Sequence, residues 1–504
     1  MIFRNMAIIF LLVLLMLTAC PENAETPTGI YIDNVTINEG NFSLLAGQTK
    51  KLSVTIIPVK APNKNINWTS SNTNTATVND SGLVTAHTKG ETTITATAHD
   101  GSNKSCSIML TVMPPGGSIT PEDIFSLLKG KRVTTNGWAD LYDDGYGLSY
   151  SSPQNCILLD DAAYPNPPDK RQVFTNAINN ENAKFIIVSG DIDLSDGRIT
   201  DTDHSYFDQF NPASPYRRIN GDISFNIGSN TTIIGIDNAR LMFGGLNISN
   251  KSNIIIRNIT FWDAHGSTAN DTGKPGYTES KASATALQIG DSGVIGLWVD
   301  HCKFTDGTCN DMVRNYNHDG AFDIKKGNYI TVSWTEFTNH DKVMLVGSNE
   351  TQYLTIEDRE ITLHHNYFHN TTQRMPRTRG THMHVYNNFY TQIGVSGNNG
   401  SCMGPGLNAR FIVENNYFDT GSFFAVGTRI VDYKDNEEPY VGNPDYFAVV
   451  YNTGNNLSIP WSIKDPDWGY NKHWEPVYMY TLDDNTMLPA LIPASAGPVL
   501  FNGN

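Results

Sequence analysis

The chain has 504 residues and a formal net charge of −16, with 39% hydrophobic and 10% aromatic residues. The hydrophobic content is that of a folded protein. Because the chain is longer than a domain with one small hydrophobic core, we expect at least two domains. The acidic balance argues against nucleic acid as a general partner. The 42 glycines and many asparagines favour turns and therefore a β-rich chain.

The first 20 residues have the pattern of a secretory signal. Arg4 precedes an apolar run over 6–17, which is too short to span a membrane. The run ends in residues 17–20, Leu-Thr-Ala-Cys, which resembles a bacterial lipobox. The resemblance implies lipidation at Cys20 and an outer-membrane lipoprotein of a bacterial cell envelope, periplasmic or surface-exposed, that touches the membrane only through its anchor. An ordinary signal peptide with a chance cysteine is the alternative.

A polar linker over 21–28 leads into a segment of short alternating strands over 29–113, whose spacing predicts a small β-sandwich. Its most specific motifs are Asn67-Trp68-Thr69-Ser70-Ser71-Asn72, Ala76-Thr77-Val78, Gly82-Leu83-Val84-Thr85-Ala86 and Gly90-Glu91-Thr92-Thr93-Ile94-Thr95-Ala96. On these motifs the segment resembles the bacterial Ig-like group 2 module. We expect Trp68 in the core of the sandwich.

A second domain is predicted over 119–504, after a Pro-Pro-Gly-Gly boundary at 114–117. A helix is expected over 120–128, because Thr120 is a suitable cap and a proline follows it. Strand-like runs then recur, and many end in a polar residue, an asparagine and an aromatic residue. These runs are Phe185–Val188, Thr231–Ile234, Asn253–Phe261, Gly296–Phe304, Tyr329–Phe337, Thr355–Phe368, His382–Tyr390 and Arg410–Phe418.

Repeats of roughly 20–30 residues with one or two strands each predict a solenoid. The recurring asparagines fit an inward-facing amide ladder with stacked aromatic rings, as parallel β-helices use. The predicted fold class is therefore all-β, a solenoid preceded by an Ig-like β-sandwich.

Three arginines, Arg374, Arg377 and Arg379, lie close together in this otherwise acidic chain. Such a cluster indicates a site for an anionic ligand or for charge that develops during a reaction.

Five motifs carry a resemblance to a known family. In chain order they are Leu297-Trp298-Val299-Asp300-His301, Asp319-Gly320-Ala321-Phe322-Asp323-Ile324-Lys325, Tyr329-Ile330-Thr331-Val332-Ser333-Trp334, His340-Asp341-Lys342-Val343-Met344-Leu345-Val346-Gly347 and Gln373-Arg374-Met375-Pro376-Arg377-Thr378-Arg379. Over about residues 180–430, and more weakly on either side, the chain resembles pectate lyases of polysaccharide lyase family 1. The resemblance implies a right-handed parallel β-helix and calcium-assisted β-elimination of de-esterified pectin, polygalacturonate, to unsaturated oligogalacturonides. A monomer is expected.

That reaction makes physical demands on a site. The C5 proton of a galacturonate becomes removable when the neighbouring carboxylate is neutralised by a hard cation or by ammonium and guanidinium groups. A base must then reach C5 while the O4 group leaves. The resemblance implies Arg374 as the base, Lys342 and Arg379 as groups that bind substrate carboxylates, and Asp319 and Asp323 as Ca2+ ligands. Guanidinium groups normally keep their proton, but a crowd of like charges disfavours the protonated form.

One departure from the family pattern concerns the metal. Ser283 and Thr285 appear where aspartates are expected, and a hydroxyl is a poor substitute for a carboxylate around calcium. The site is then weaker, draws on Glu279, Asp271 or Asp291, or fills only with substrate. The departure also raises an alternative, a pectin lyase that acts on methyl-esterified chains without calcium.

A second alternative is a non-catalytic glycan-binding surface lipoprotein, since Ig-like modules and β-helices also occur as adhesive stalks. The presence of Arg374, Arg379 and Lys342 argues against it, because a stalk has no use for these groups. Asp300 and His301 are interpreted as a hydrogen-bonded scaffold beside the site, since no nucleophile accompanies them.

Overall fold

The computed structural model describes residues 30–39, 42–113, 135–141, 156–161, 163–182, 184–197, 223–264, 285–307, 318–347, 359–394, 402–406, 408–419, 449–456 and 476–498. The chain divides into two compact units, Met1–Gly116 with Gly503–Asn504, and Gly117–Asn502. The signal segment with Cys20, the linker 21–28 and the helix expected over 120–128 lie outside the described residues. Within the described residues, no helix combines the length and apolar character needed to cross a membrane.

The first unit is a β-sandwich, as its alternating pattern predicts. Its strands are β1 Asn34–Ile37, β2 Phe42–Leu45, β3 Thr49–Lys51, β4 Val54–Ile57, β5 Ile66–Ser70, β6 Ala76–Val78, β7 Leu83–Ala86, β8 Gly90–Ala98 and β9 Ser105–Met113. They form sheets ordered β1-β4, β2-β9-β8-β5 and β3-β7-β6. Trp68 lies in the core, and a Cβ on Gly82 would come within 3.0 Å of its ring. The expected core role of Trp68 is confirmed.

The second unit consists mostly of short parallel strands. Its strands are β10 Cys156–Leu159, β11 Lys184–Asp193, β12 Ser224–Asn226, β13 Thr231–Met242, β14 Gly245–Ile248, β15 Lys251–Arg257, β16 Thr260–Trp262, β17 Leu287–Ile289, β18 Val294–Asp300, β19 Lys303–Thr305, β20 Phe322–Ile324, β21 Asn328–Ser333, β22 Glu336–Lys342, β23 Leu345–Val346, β24 Glu360–His364, β25 Tyr367–Gln373, β26 Arg377–Thr378, β27 His382–Tyr386, β28 Phe389–Ile393, β29 Gly404–Pro405, β30 Arg410–Glu414, β31 Tyr417–Phe418 and β32 Val449–Thr453. Its described helices are α1 Pro167–Ile178 and α2 Leu488–Ser495, with 3-10 turns at Trp138–Leu141 and Asn485–Met487.

These strands stack into three faces of a parallel β-helix. Face 1 contains β15, β18, β21, β24, β27, β30 and β32; face 2 contains β16, β19, β22, β25, β28 and β31; face 3 contains β12, β14, β17, β20, β23, β26 and β29. The long strand β13 runs through faces 1 and 2. One turn of the chain therefore adds one strand to each face, as β21, β22 and β23 do. The predicted solenoid and the all-β class are confirmed.

Asparagines recur at the corner between faces 1 and 2. In successive turns the corner residue has a positive φ, in the left-handed region of backbone conformation. Asparagine tolerates this conformation better than most residues. The following asparagine points inward: Asn366 Nδ2 donates to Asn388 Oδ1 at 2.9 Å, and Asn388 Nδ2 donates to Asn416 Oδ1 at 2.9 Å. Each buried amide is thus satisfied by the next turn. The predicted amide ladder is confirmed.

A column of stacked aromatic rings fills the interior behind face 2. The rings belong to Phe261, Phe304, Phe337, Phe368, Tyr390 and Phe418, and successive centroids are 4.6 to 5.1 Å apart. Strand pairing places these residues in one register, so each turn buries its ring against the next. This column and the amide ladder fix the register of the turns, and therefore the place of every outward side chain.

The sequence runs differ from the observed strands in one respect. A run such as His382–Tyr390 is two strands, β27 and β28, because the corner asparagines fall inside it. The strands of face 3 were not predicted, since they have only two to four residues and show no period. The helix α1 was likewise missed. Face 3 is the part of the fold that carries the candidate site.

Candidate active site

The candidate site lies at the corner where the chain passes from face 2 to face 3. In one turn, β22 ends at Lys342 and β23 begins at Leu345; in the next, β25 ends at Gln373 and β26 begins at Arg377. Lys342 pairs with Gln373 and Leu345 pairs with Arg377, so the later turn contains one extra residue. Arg374 opens this wider corner with a φ of 64°.

The side chain of Arg374 faces away from the interior. Its neighbour Met375 and the matching Met344 are fully buried in the core, whereas Arg374 is partly exposed. The Arg374 carbonyl accepts a hydrogen bond from the Met344 N–H at 2.7 Å, which fixes the backbone at this point. The Nε of Arg374 is buried and has no hydrogen-bond partner among the described residues.

Asp323 on β20 is a buried carboxylate two turns before Arg374, with 7% of its surface exposed. Its Oδ1 accepts from the Leu345 N–H at 2.9 Å, and its Oδ2 accepts from the Thr285 hydroxyl at 3.4 Å. Burial raises the pKa of Asp323 to about 6, and the nearby charge of Asp319 adds to the rise. The Leu345 N–H and the positive charge of Arg374 act in the opposite direction. Arg374 is therefore electrostatically coupled to Asp323.

Gly320 makes room for the Asp323 carboxylate. A Cβ on Gly320 would lie 2.5 Å from the Cγ and from both carboxylate oxygens of Asp323. Any side chain at this position would displace the carboxylate. Sequence reasoning missed this role, although the glycine stands between the two aspartates in the motif.

Lys342 and Asp319 complete the group on the solvent side. Lys342 Nζ lies 3.5 Å from Asp319 Oδ1, and their side chains are 19% and 37% exposed. The backbone brings them together because Gly320, next to Asp319, forms a bridge with Lys342. The structure thus places Asp319, Asp323, Lys342 and Arg374 on three successive turns at one corner.

Arg377 and Arg379 follow Arg374 on the same turn. Arg377 faces outward on face 3, in the column that contains Leu345 and Asp323. Arg379 is two residues further, which puts it on the same side of the strand. It is 8% exposed, and a Cβ on Gly406 would come within 3.3 Å of its Cγ. Both arginines therefore lie on the outer face, beyond Asp323 in the direction of later turns.

The donor set suits a hard cation but is incomplete. Asp319, Asp323 and the Thr285 hydroxyl offer oxygens, the ligand type that Ca2+ prefers, and a cation would offset the burial and the Asp319 charge that raise the pKa of Asp323. Calcium takes about six to eight oxygens, so substrate and water must supply others. Among the described residues, no three His, Cys, Asp or Glu side chains are grouped to hold a metal.

Three of the other ligands considered from the sequence, Ser283, Asp271 and Glu279, lie outside the described residues. Asp291 is described, and its carboxylate lies 3.6 Å from Lys325 Nζ on the next turn. Thr285 is 6% exposed and bonded to Asp323, so it occupies the position where a third carboxylate would reach the cation.

A buried network of two histidines and two aspartates lies beside the site. His318 Nε2 is 2.7 Å from Asp263 Oδ1, and His340 Nδ1 is 2.6 Å from Asp306 Oδ1. His318 Nδ1 also lies 3.6 Å from Asp306 Oδ2, which joins the two pairs. His318 directly precedes Asp319 in the sequence. Sequence reasoning missed this network, whose members come from distant segments and have no common motif.

Asp300 and His301 belong to a separate cluster at the corner of faces 1 and 2. Asp300 accepts hydrogen bonds from the Arg257 guanidinium, the His301 ring and the Ser333 hydroxyl at 2.5 to 2.8 Å. Although burial opposes ionisation, His301 and Arg257 hold the pKa of Asp300 well below its usual range. These contacts tie neighbouring turns together, which is the scaffold role expected for them.

A parallel β-helix with paired carboxylates, a lysine and arginines on its outer corner is a scaffold that can bind a polyanionic chain. The pectate lyase family matches residues 170–461, more than half of the chain, and the bacterial Ig-like domain (group 2) family matches residues 31–108. The chain belongs to the pectate lyase family, with an Ig-like domain at its N-terminal side.

The curated relatives are similar over part of their length. A pectate trisaccharide-lyase of Thermotoga maritima is 43% identical over 181 residues, which are 34% of this chain and 43% of that protein. A pectate lyase of Bacillus subtilis (strain 168) is 34% identical over 232 residues, 42% of this chain and 54% of that protein. The chain spans about half the length of the curated relatives it matches.

Solved structures agree with the fold. A pectate lyase bound to a hexasaccharide aligns with a TM-score of 0.53 at 23% identity, over 74% of this chain and 99% of that one. A structure titled for the anti β-elimination mechanism of pectate lyase aligns with a TM-score of 0.54 at 23% identity, over 74% of this chain and all of that one. At this identity the likeness shows the fold alone.

Proposed function

We propose that the protein cleaves polygalacturonate by β-elimination, with Arg374 as the base. The observation that carries this proposal is the position of Arg374, on the outer face and coupled to Asp323, with a buried Nε that no described residue uses. Family membership and the names of the relatives support the same reading.

Cationic and acidic side chains have different roles in this reaction. Lys342 and Arg379 bind substrate carboxylates, which fixes a galacturonate with its C5 proton toward Arg374. Arg377, Arg379 and Lys342 add positive charge to the same outer face as Arg374, which disfavours the protonated form of its guanidinium. Asp319 and Asp323 would hold Ca2+, and the bound ion would neutralise a substrate carboxylate and so acidify the C5 proton.

Arg374 then takes the C5 proton, and the electrons of the C–H bond form a double bond between C4 and C5. The bond from C4 to O4 breaks, and the departing oxygen takes a proton from water. The departing oxygen stays bonded to C1 of the neighbouring sugar, so the products are a chain with a new reducing end and an oligogalacturonide with a 4,5-unsaturated end.

The test is the ultraviolet absorbance of unsaturated ends formed from polygalacturonate by the purified protein. We expect product with Ca2+, little with a chelator, and none from Arg374→Ala. Arg171→Ala is the matched control, because Arg171 is an ion-paired arginine on α1, away from the site. Equal rates for Arg374→Ala and Arg171→Ala would refute the proposed base.

A pectin lyase that needs no calcium is the second candidate, and Thr285 in place of a third carboxylate is the observation that favours it. Comparing methyl-esterified pectin with polygalacturonate, each with and without chelator, separates the two. Chelator-resistant cleavage confined to the ester would establish the second candidate. Binding of both polymers without product would instead favour the non-catalytic glycan-binding alternative.

We also propose that the protein is a lipoprotein of a bacterial outer membrane, anchored through Cys20. The lipobox-like residues 17–20 support this location. Incorporation of labelled palmitate by cells that express the full chain, and its loss in Cys20→Ala, is the expected result. Equal labelling of the two proteins would refute the anchor.

A further inference from the structure

The outer face of face 3 continues past the site toward earlier turns with a column of neutral amides. Strand pairing places Asn226, Asn247, Gln288 and Asp323 side by side on β12, β14, β17 and β20. We call Asn226, Asn247 and Gln288 the amide column. Neighbouring strands are about 4.8 Å apart, so the column extends about 14 Å from Asp323.

The amide column is open to a ligand. Asn226 is exposed, and Asn247 and Gln288 are partly exposed. Asn247 Nδ2 donates to Asn226 Oδ1 at 2.8 Å, which leaves each amide with further hydrogen-bonding capacity. The Gln288 side chain, next to Asp323, makes no hydrogen bond within the described ranges. A purely structural ladder would bond this amide to its neighbours, as Asn366 and Asn388 are bonded inside the helix.

Charge is distributed unevenly on the two sides of Asp323. Toward later turns the outer face carries Lys342, Arg374, Arg377 and Arg379. Toward earlier turns the amide column contributes no charge.

A second column of outward residues, next to the amide column on face 3, also has little net charge on the earlier turns. Backbone hydrogen bonds align Ser249, Gly290 and Lys325 on consecutive turns. Lys325 Nζ lies 3.6 Å from Asp291, so its charge is partly balanced. The described outer face is therefore cationic on one side of Asp323 and close to neutral on the other.

A bound polymer would meet both sides. The site itself spans three successive turns, from Asp319 through Lys342 to Arg374, so a chain that contacts all of them runs along the stack of turns. Extended past Asp323, the same chain lies on the amide column. Amides exchange hydrogen bonds with hydroxyls and ester carbonyls, whereas an anion without a cationic partner loses part of its hydration there without compensation.

We propose that the amide column is a binding surface for methyl-esterified uronates, so that the enzyme cleaves partly esterified pectin with esters on one side of the broken bond and free carboxylates on the other. This inference rests on the proposed function. Free galacturonates would bind at Asp319, Lys342 and Arg374, and methyl-esterified galacturonates would bind at the amide column.

The test uses Gln288→Lys, which places a cation in the amide column. Ser292→Lys is the matched control, because it adds the same charge at an exposed turn four residues further along the chain. For each protein, kcat/KM is measured on polygalacturonate and on partly methyl-esterified pectin, and the ester positions in the products are read by mass spectrometry.

In the unmodified protein, we expect methyl esters next to the cleaved bond on one side only. Gln288→Lys should raise the preference for polygalacturonate about two- to five-fold, the effect of one exposed ion pair, and Ser292→Lys should leave it unchanged. Esters equally frequent on both sides, or an unchanged preference in Gln288→Lys, would overturn the inference while leaving the lyase intact. Absence of any cleavage of polygalacturonate would instead refute the proposed function and this inference together.

Discussion

Asp323→Asn is predicted to stabilise the metal-free protein while it removes activity. The folded state raises the pKa of Asp323 from 3.8 to about 6, chiefly through burial. At ~1.36 kcal/mol per pKa unit, ionising this group in the folded protein costs about 3 kcal/mol, which is an upper bound for the gain from the amide. Asparagine fits, since its oxygen can still accept from Leu345 N–H and its amide can donate to the Thr285 hydroxyl.

The sign of the pH dependence follows from the raised pKa. Below about pH 4 both states bind the proton, so the native carboxyl costs nothing and the two proteins have equal stability. As pH rises toward 6 the unfolded chain ionises first, and the native protein loses stability until Asp323 itself ionises. The advantage of Asp323→Asn therefore develops between about pH 4 and 6 and is constant above that range.

The assay is urea unfolding with a chelator at pH 4 and pH 7.5, followed by tryptophan fluorescence. Trp68 is the one tryptophan of the first unit, out of eight in the chain, so the signal reports mainly the second unit. Calcium at 100 times its Kd should stabilise the native protein by ~2.7 kcal/mol and leave Asp323→Asn unchanged. A variant that is less stable than the native protein at pH 7.5 with chelator would refute the reasoning.

Three further predictions follow from single contacts. Gly320→Ala should displace the Asp323 carboxylate by about 1 Å, since its Cβ would otherwise lie 2.5 Å away, and calorimetry should show weaker Ca2+ binding with an unchanged fold by circular dichroism. Thr285→Asp should raise substrate-free Ca2+ affinity on the order of ten-fold by calorimetry, and an unchanged affinity would place the cation elsewhere. Asn388→Ala should destabilise the second unit by about 3 kcal/mol in urea unfolding, because it leaves the buried Asn366 N–H without its acceptor and removes the amide bonds to Asn366 and Asn416; a loss below 1 kcal/mol would contradict this.

The architecture could be predicted because its repeats are local. The asparagines that recur at the corners of faces 1 and 2, and the aromatic residues shortly after them, are visible in the sequence, and they are the amide ladder and the ring column of the structure. Face 3 could not be predicted, because strands of two to four residues have no period to detect. Their positions depend on pairing with the turn before and the turn after.

The site was predictable as a set of residues and unpredictable as an arrangement. The motifs named Asp319, Asp323, Lys342 and Arg374, and the structure brings them together at one corner. The pKa of Asp323 depends on burial, which a sequence does not display. The role of Gly320 depends on how closely the Asp323 carboxylate folds back over it, and the amide column depends on the register of strands separated by long loops.

The central claim is that Arg374 removes the C5 proton of a galacturonate whose carboxylate is neutralised beside Asp323. Its most direct test is the rate at which purified native protein and Arg374→Lys form unsaturated ends from polygalacturonate at saturating Ca2+, with bound oligogalacturonate measured in parallel. We predict a loss of at least about a hundred-fold in kcat with binding retained, as expected when a positioned base is removed. A kcat within a few-fold of the native value would contradict the account.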